Sequence, residues 1–378
     1  MAQAASEPAK PTVRIGFTAF HCDFDPQHNL ITDLLRRRFD VQVCDEPDFM
    51  FCADFWFGAH RFDLNKLECV RIGYTGENDN ANFSAFDYFI GFEYIDYPDR
   101  YFRCPNLLFE CDLSAWQPLE DVDAFAASKT RFCNFCFSHP SENGVREDMA
   151  RLLSAYKEVD CCGPILNNTQ PGVDPELCRI PRDEKSRRVA ESRFTICCES
   201  TSRPGFVTEK IWEALKNHSV PIYYGDETVT RIFNPKAFVN LHDFASLEEA
   251  AEFIRRLDAD EAAYREMLTQ PPFAEGFDRD AIFDAFEEFL AHIVSQEPKA
   301  ALRRPVSFMP ADMNDYLALL KPYAQKLDVK EQRVARWRRR WYWGLVLLRR
   351  FVPGLVPEPD RGMLNFYYKR HERAMKKE

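Results

Sequence analysis

The sequence predicts an α/β protein of two doubly wound halves followed by a basic, aromatic helical tail. Three observations carry this. From Phe194 to Tyr224 come, in turn, an apolar β-prone run (194–198), a polar loop with Gly and Pro (199–207), a helical pattern from Thr208 and a second β-prone run (220–224). That succession is one turn of a parallel sheet. Short apolar runs alternate with helical periods on both sides of residue 140. The alternation stops near residue 300, where Arg mixes with Trp, Tyr, Leu and Val.

The elements follow in order. In residues 12–140, VRIGFTAF, VQVCD, FMFCADF, CVRIGYT and FDYFIGF read as strands, Asp25–Arg38 as a helix and Arg131–Ser138 as a closing strand. In residues 141–293, EDMARLLSAYKEV has apolar positions three and four apart. The strand–loop–helix–strand unit follows, then FVNL, helices at 247–257 and 259–268, and the amphipathic AIFDAFEEFLAHIV. Two such halves joined by a short connection fit two facing Rossmann-like domains with a cleft between them, and residues 300–378 form the tail.

Hydrophobic residues make up 46% of the 378, enough for each half to bury a core. The net charge of −11 is unevenly spread: residues 301–378 hold 18 Lys/Arg against 8 Asp/Glu, so the body is acidic and the tail basic. Such a tail suits an anionic partner. Nucleic acid is not expected, because the acidic body would repel it. Eight uncharged residues lie between Arg340 and Arg349, too few to span a bilayer. Arg with Trp and Tyr at this density suits a helix in the headgroup layer, so residues 330–356 are expected on an anionic membrane surface. Docking of the same helix on the acidic body is the other reading. The amino terminus, MAQAASEPAKPTVRIGF, has neither signal-peptide nor anchor pattern, and a cytoplasmic protein peripheral on the inner face of the plasma membrane is expected.

The 13 cysteines, many in apolar runs, fit buried free thiols. Cys133-x-x-Cys136 has no second Cys or His pair to complete a zinc site. Asp-x-Asp triplets begin at Asp23, Asp121 and Asp258, the last expected between helices, and no metal site is expected.

The loop at 199–207 falls at the carboxyl end of a strand and the amino end of a helix. There, backbone N–H groups and the helix dipole favour a phosphate. Lys210 in the first helical turn is unfavourable unless an anion is present, and with Glu209 it suits a nucleotide-sugar site. The competing reading is an ordinary amphipathic helix. Thr208 is then its N-cap, Ile211, Trp212, Ala214 and Leu215 its buried stripe, Glu209 a dipole-friendly acid and Lys210 a solvated charge.

GFVTEKIWEALKNHSVPIYYGD resembles the hallmark segment of the family 10 glycosyltransferases, the α-1,3/4-fucosyltransferases, in their bacterial form. IGYTGENDNANFSAFDYFIGFEYIDYPDRYFRCP (72–105) resembles the same family's amino-terminal signature. PKAFVNLHDFASLEEAAEFIRRLDAD (235–260) resembles the segment after the helix. The likeness runs from about residue 12 to 293.

The resemblance implies a GT-B fold and inverting transfer of L-fucose from GDP-fucose to a hydroxyl of a glycan acceptor, α-1,3 to N-acetylglucosamine in a surface glycan, with no required cofactor or metal. Such a displacement needs a carboxylate for the acceptor proton and positive charge or N–H donors for the departing diphosphate. The resemblance makes Glu77, in Thr75-Gly76-Glu77-Asn78, the general base; its neighbours alone would make it a surface loop acid. It puts Lys210 on the diphosphate, Glu209 near the ribose or fucose, and Thr208, Val207 and Phe206 beside the donor. Phe206 stands where many relatives carry Tyr. Glu199 and Ser200 take the place of a Glu-Asn pair. Asn167 belongs to GPILNN (163–168), a loop in which relatives often carry Arg or Lys; Arg203 or another basic residue is left to supply that charge. Two further readings stay open: transfer from another GDP-sugar, favoured by Ser200 and GPILNN, and a non-catalytic, membrane-associated glycan-binding protein.

Overall fold

The computed structural model describes residues 9–20, 24–53, 68–169 and 180–304. The expected tail beyond residue 304, with its membrane-binding stretch 330–356, lies outside the described residues, as does Asp23. Two compact units are present. One comprises the described residues up to Phe109 together with those from Asp278, and the other is Glu110–Phe277.

The first unit is a parallel sheet. Its elements are β1 (Thr12–Thr18), α1 (Leu30–Arg38), β2 (Asp40–Val43), β3 (Phe49–Ala53), β4 (Val70–Tyr74), β5 (Tyr88–Gly91), β6 (Tyr101–Arg103) and the short α2 (Asn106–Glu110). The strand order is β2-β1-β3-β4-β5-β6. A parallel sheet covered on both faces needs strands that are apolar throughout; accordingly β3 and β5 are buried at every position. The expected helix from Asp25 starts later, at Leu30. Asn29 caps it by accepting the Thr32 N–H (3.1 Å), and Asp25–His28 form a turn before the cap, closed by the His28 N–H on the Asp25 carbonyl (3.3 Å).

The second unit comprises α3 (Val122–Ser128), β7 (Arg131–Phe135), α4 (Val145–Ser154), β8 (Val159–Cys161), α5 (Arg182–Glu191), β9 (Ser192–Ile196), α6 (Glu209–Lys216), β10 (Val220–Tyr223), β11 (Val239–Asn240), α7 (Leu247–Ala259) and α8 (Glu261–Leu268). Its parallel sheet runs β11-β10-β9-β7-β8. The chain moves outward from β7 to β8, then returns past β7 to β9. Between β7 and β9 the direction of winding reverses, and ligands of such sheets bind outside the carboxyl ends of the strands at that point. Phe135, Phe194, Ile222, Leu153, Ile254 and Tyr264 form part of its core.

Two expected boundaries are corrected. The strand at 131–135 does not close the first half; it is an interior strand of the second sheet, paired with both β8 and β9. The break falls at Phe109/Glu110, not near residue 140. The last helix, α9 (Arg279–Val294), belongs to the first unit and not to the second. Phe286 of α9 stacks on Phe102 (4.8 Å between centroids), and the nearly buried Glu287 carboxylate takes Arg37 (2.9 Å) and Arg38 (2.5 Å) of α1. Amphipathicity reveals that such a helix must be covered, but not which sheet covers it.

Beyond α9 the chain is tied back to the first sheet. Asp87, at the foot of β5, is fully buried. Its carboxylate accepts the backbone N–H groups of Arg71 (2.9 Å), Arg303 (2.8 Å) and Arg304 (2.9 Å) and pairs with the Arg304 guanidinium. Arg100 braces the same corner, donating to the carbonyls of Asp87 (2.7 Å), Phe86 (2.7 Å) and Phe83 (2.9 Å). Asp87→Ala should therefore destabilise the protein by about 3 kcal/mol or more, since Arg304 and three N–H groups lose their acceptor. Urea unfolding with an unchanged m-value checks it.

Candidate active site

The carboxyl end of β9 leads directly into the predicted loop, and the loop folds around Glu199. This carboxylate is 1% exposed. Its Oε1 accepts the Thr208 backbone N–H (2.9 Å) and Thr208 Oγ1 (2.8 Å), and its Oε2 accepts Lys210 Nζ (2.9 Å). Lys210 Nζ also donates to Thr208 Oγ1 (2.8 Å). One acid thus ties together a strand end, the head of α6 and the predicted cation. A carboxylate this buried is costly unless its oxygens are partnered in this way. Thr208 is the N-cap residue, as predicted, but its side chain makes no cap bond; the hydroxyl is spent on Glu199.

Close packing holds the arrangement from behind. A Cβ on Gly225 would lie 2.7 Å from Glu199 Cγ and 2.6 Å from Tyr223 Oη, so glycine is required where β10 ends. Phe206 and Val207 are buried beneath the loop, and Gly205 takes φ +86° to turn it. Ser200 is half-buried; its carbonyl accepts the Glu142 N–H (2.9 Å), which joins the loops following β7 and β9 at the switch point.

Glu209 and Lys210 stand half-buried at the head of α6. Burial opposes ionisation of Glu209, but Lys210 and Lys185 outweigh it and hold the carboxyl down at about 2. Burial likewise opposes the charge on Lys210, yet Glu199 and Glu209 keep its pKa above the ordinary lysine value. Lys210 is therefore a paired cation, and the solvated-charge reading does not hold.

Sequence reasoning missed two cations here. Arg146, in the first turn of α4, is 3% exposed and lies within electrostatic reach of Glu199 and Lys210. Its Nη1 reaches the His139 carbonyl at 3.4 Å and its plane lies over Phe137 (4.2 Å), but Nε and Nη2 have no partner. Burial depresses its pKa. A buried guanidinium with unpaired donors is costly unless an anion completes it. The second is Lys185 of α5, bonded to Glu213 (2.5 Å) one turn below Glu209. The distance in sequence hid both: only the order of strands brings α4, α5 and α6 to one edge.

The GPILNN loop is a structural piece. Asn167 Nδ2 donates to the Gly163 carbonyl (2.9 Å), and Asn168 is stitched to Cys161 and Val159. Gly163 leaves no room for a Cβ, which would meet the Phe137 carbonyl at 2.5 Å. Arg203 is half-buried and its carbonyl closes the turn to Phe206.

Glu77 lies in the first unit, exposed, three residues past the end of β4. Thr75 Oγ1 accepts the Glu77 N–H (3.2 Å) and donates to its carbonyl (3.0 Å), setting the turn. Of the acidic triplets, Asp121 caps α3, while Asp258 lies within α7, not between helices, and pairs with Arg193 (2.7 Å) and Lys157 (2.5 Å). Among the described residues no group of three or more His, Cys, Asp or Glu could hold a metal ion, and no disulfide joins the 11 cysteines.

Residues 126–269 match the model of glycosyltransferase family 10 (fucosyltransferase), C-terminal part, and residues 15–110 match the alpha-(1,3)-fucosyltransferase FucT N-terminal domain. The chain belongs to glycosyltransferase family 10. It is similar to the alpha-(1,3)-fucosyltransferase FucT of Helicobacter pylori, 31% identical over 273 residues, which is 65% of this chain and 56% of that protein. It is also similar to GDP-fucose protein O-fucosyltransferase 3 of mouse, 33% identical over 32% of this chain and 25% of that protein. The chain thus spans about half or less of the length of these relatives. A crystal structure of an alpha1,3-fucosyltransferase is 26% identical, with a TM-score of 0.60 over 77% of this chain and 93% of that one. Another, with GDP-fucose, is 24% identical with a TM-score of 0.56, again over 77% and 93%. The fold is α/β of the GT-B class, as expected.

Two outcomes follow for this family 10 site. Gly225→Ala should cost about 1–3 kcal/mol in unfolding free energy, because Glu199 cannot yield without losing Thr208 or Lys210. Glu209 has a folded pKa below its ordinary 4.5, so its stabilising contribution is complete above pH 4.5 and is lost as pH falls towards 2. The stability difference between wild type and Glu209→Gln, measured by denaturant titration, should follow that course.

Proposed function

We propose that this family 10 protein transfers L-fucose from GDP-fucose, with inversion, to a hydroxyl of a glycan acceptor, forming an α-1,3 bond to N-acetylglucosamine in a surface glycan. The observation that carries the reading is Arg146: a buried guanidinium with two unpartnered nitrogens, within electrostatic reach of Lys210, in the first turn of α4. That is a receptor for a compact dianion such as a diphosphate.

In this reading Lys210 and Arg146 hold the diphosphate and Lys185 adds positive potential. Glu199 positions Lys210 and Thr208 and touches no ligand. The acceptor oxygen attacks C1 of fucose as its proton passes to Glu77, and the C1–oxygen bond breaks with its electrons leaving on GDP. Glu209, ionised at neutral pH, offsets the positive charge that develops on the sugar. Val207, Phe206, Ser200 and Asn167 shape the wall of the donor site. The two cations do the work that a divalent ion does elsewhere, so no metal is required. The basic stretch 330–356 would hold the enzyme on an anionic membrane surface, on the cytoplasmic face.

The test is transfer from GDP-fucose, beside GDP-mannose, to acceptors ending in N-acetyllactosamine or N-acetylglucosamine, with excess EDTA. Fucose transfer should persist in EDTA, fall about 100-fold or more in kcat for Glu77→Gln, and fall comparably in kcat/KM for Arg146→Ala and Lys210→Ala. No GDP release from GDP-fucose with any acceptor overturns the reading; turnover of GDP-mannose alone favours the other-sugar alternative.

A further inference from the structure

Among the described residues, two large apolar side chains stand out as exposed: Tyr94 at 44% and Tyr97 at 41%. Both belong to the connection between β5 and β6. Tyr97 sits by the start of β6, its carbonyl accepting the N–H groups of Arg100 (2.9 Å) and Tyr101 (2.8 Å), whereas Tyr94 follows the carboxyl end of β5. β4, β5 and β6 are adjacent and parallel there. Glu77 lies three residues beyond the end of β4, Tyr94 three residues beyond the end of β5, and Arg103 is the last residue of β6. Neighbouring strands are about 5 Å apart, so these three leave the same edge side by side.

The loops are also joined. Glu93 accepts the Ala81 N–H (2.9 Å), tying the Tyr94 segment to the loop that carries Glu77. Tyr94 is held from its inner side: the Arg103 guanidinium lies 4.2 Å from the ring centroid, and Arg103 Nε donates to the Phe92 carbonyl (2.9 Å). Arg103 Nη2 is buried with no hydrogen-bond partner, and the ring is a second contact of the cation beside the Phe92 carbonyl. A cation–π contact of this kind fixes the ring. A fixed, exposed aromatic ring binds at little entropic cost.

We propose that Tyr94, backed by Arg103, is the stacking platform for a pyranose ring of the acceptor glycan. The apolar C–H face of a hexopyranose packs on the ring, and its hydroxyl rim is left for the polar groups of the Glu77 loop. The proposal rests on the fucosyl-transfer reading and adds the residue that recognises the acceptor.

The test measures steady-state transfer from GDP-fucose to N-acetyllactosamine by the full chain, with thermal unfolding as a control for folding. Tyr94→Ala should raise the acceptor KM about tenfold, keep the donor KM within about twofold, and leave Tm near wild type. Tyr94→Phe and Tyr94→Trp should restore an acceptor KM near wild type, because a ring and not a hydroxyl makes the contact. An unchanged acceptor KM in Tyr94→Ala overturns the proposal, as does an equal rise in both KM values, or a failure of Tyr94→Phe to rescue. Loss of binding to phosphatidylglycerol vesicles with the acceptor KM unchanged overturns it in favour of a membrane contact. Failure of the fucosyl-transfer reading is read separately, as absence of GDP-fucose turnover by wild type, and it takes this proposal with it.

Discussion

The donor-side geometry depends on one buried carboxylate. Glu199 lies where β9 gives way to its loop, and it collects the N–H and hydroxyl of Thr208 and the ammonium of Lys210. Taking a carboxylate out of water costs several kcal/mol unless its lone pairs are filled. Each partner is thereby constrained: Thr208 to the head of α6, Lys210 to reach back to the start of its own helix, and residue 225 to be glycine. The helix dipole alone would repel Lys210 at that position; Glu199 makes it stable there without a ligand. Arg146 is held differently, by aromatic stacking and a single long carbonyl contact, which leaves donors to spare.

The first unit uses its recognisable residues for another purpose. Phe86-Asp87-Tyr88 and Asp99-Arg100-Tyr101 stand out in the sequence, yet Asp87 and Arg100 are fastenings. Asp87 anchors the chain beyond α9, and Arg100 fills carbonyls of the preceding turn. Asp99 pairs with Arg303 (2.8 Å). Glu77 and Tyr94 differ from these in being exposed at the carboxyl edge. A sequence motif alone does not separate the two kinds of residue; burial and bonding partners do.

Much of this was legible in the sequence. Parallel strands buried on both faces leave continuous apolar runs, so β3, β4, β5, β9 and β10 could be read directly, and the strand–loop–helix–strand unit located Glu209 and Lys210 at a helix head. What escaped depended on long-range pairing. The strand at 131–135 looks alike in either sheet, and only its pairing with β8 and β9 places it. α9 is amphipathic wherever it packs; Arg37 and Arg38, some 250 residues away, decide the matter. Arg146 fell one residue before the helix read from Glu147; the structure starts that helix at Val145, and an Arg so close to a helix start, where the dipole disfavours a cation, was the available signal. Thr208 was read from local preference, and a distant acid outcompeted the local cap.

The measurement that tests the account most directly is GDP binding by Glu199→Gln, followed by calorimetric titration beside wild type. Glutamine keeps the size of the side chain but removes the charge that holds Lys210. If Glu199 organises the site, GDP affinity falls at least tenfold, although residue 199 touches no ligand. Equal or tighter GDP binding by a folded Glu199→Gln protein would mean that Lys210 needs no such anchor, and would contradict the account.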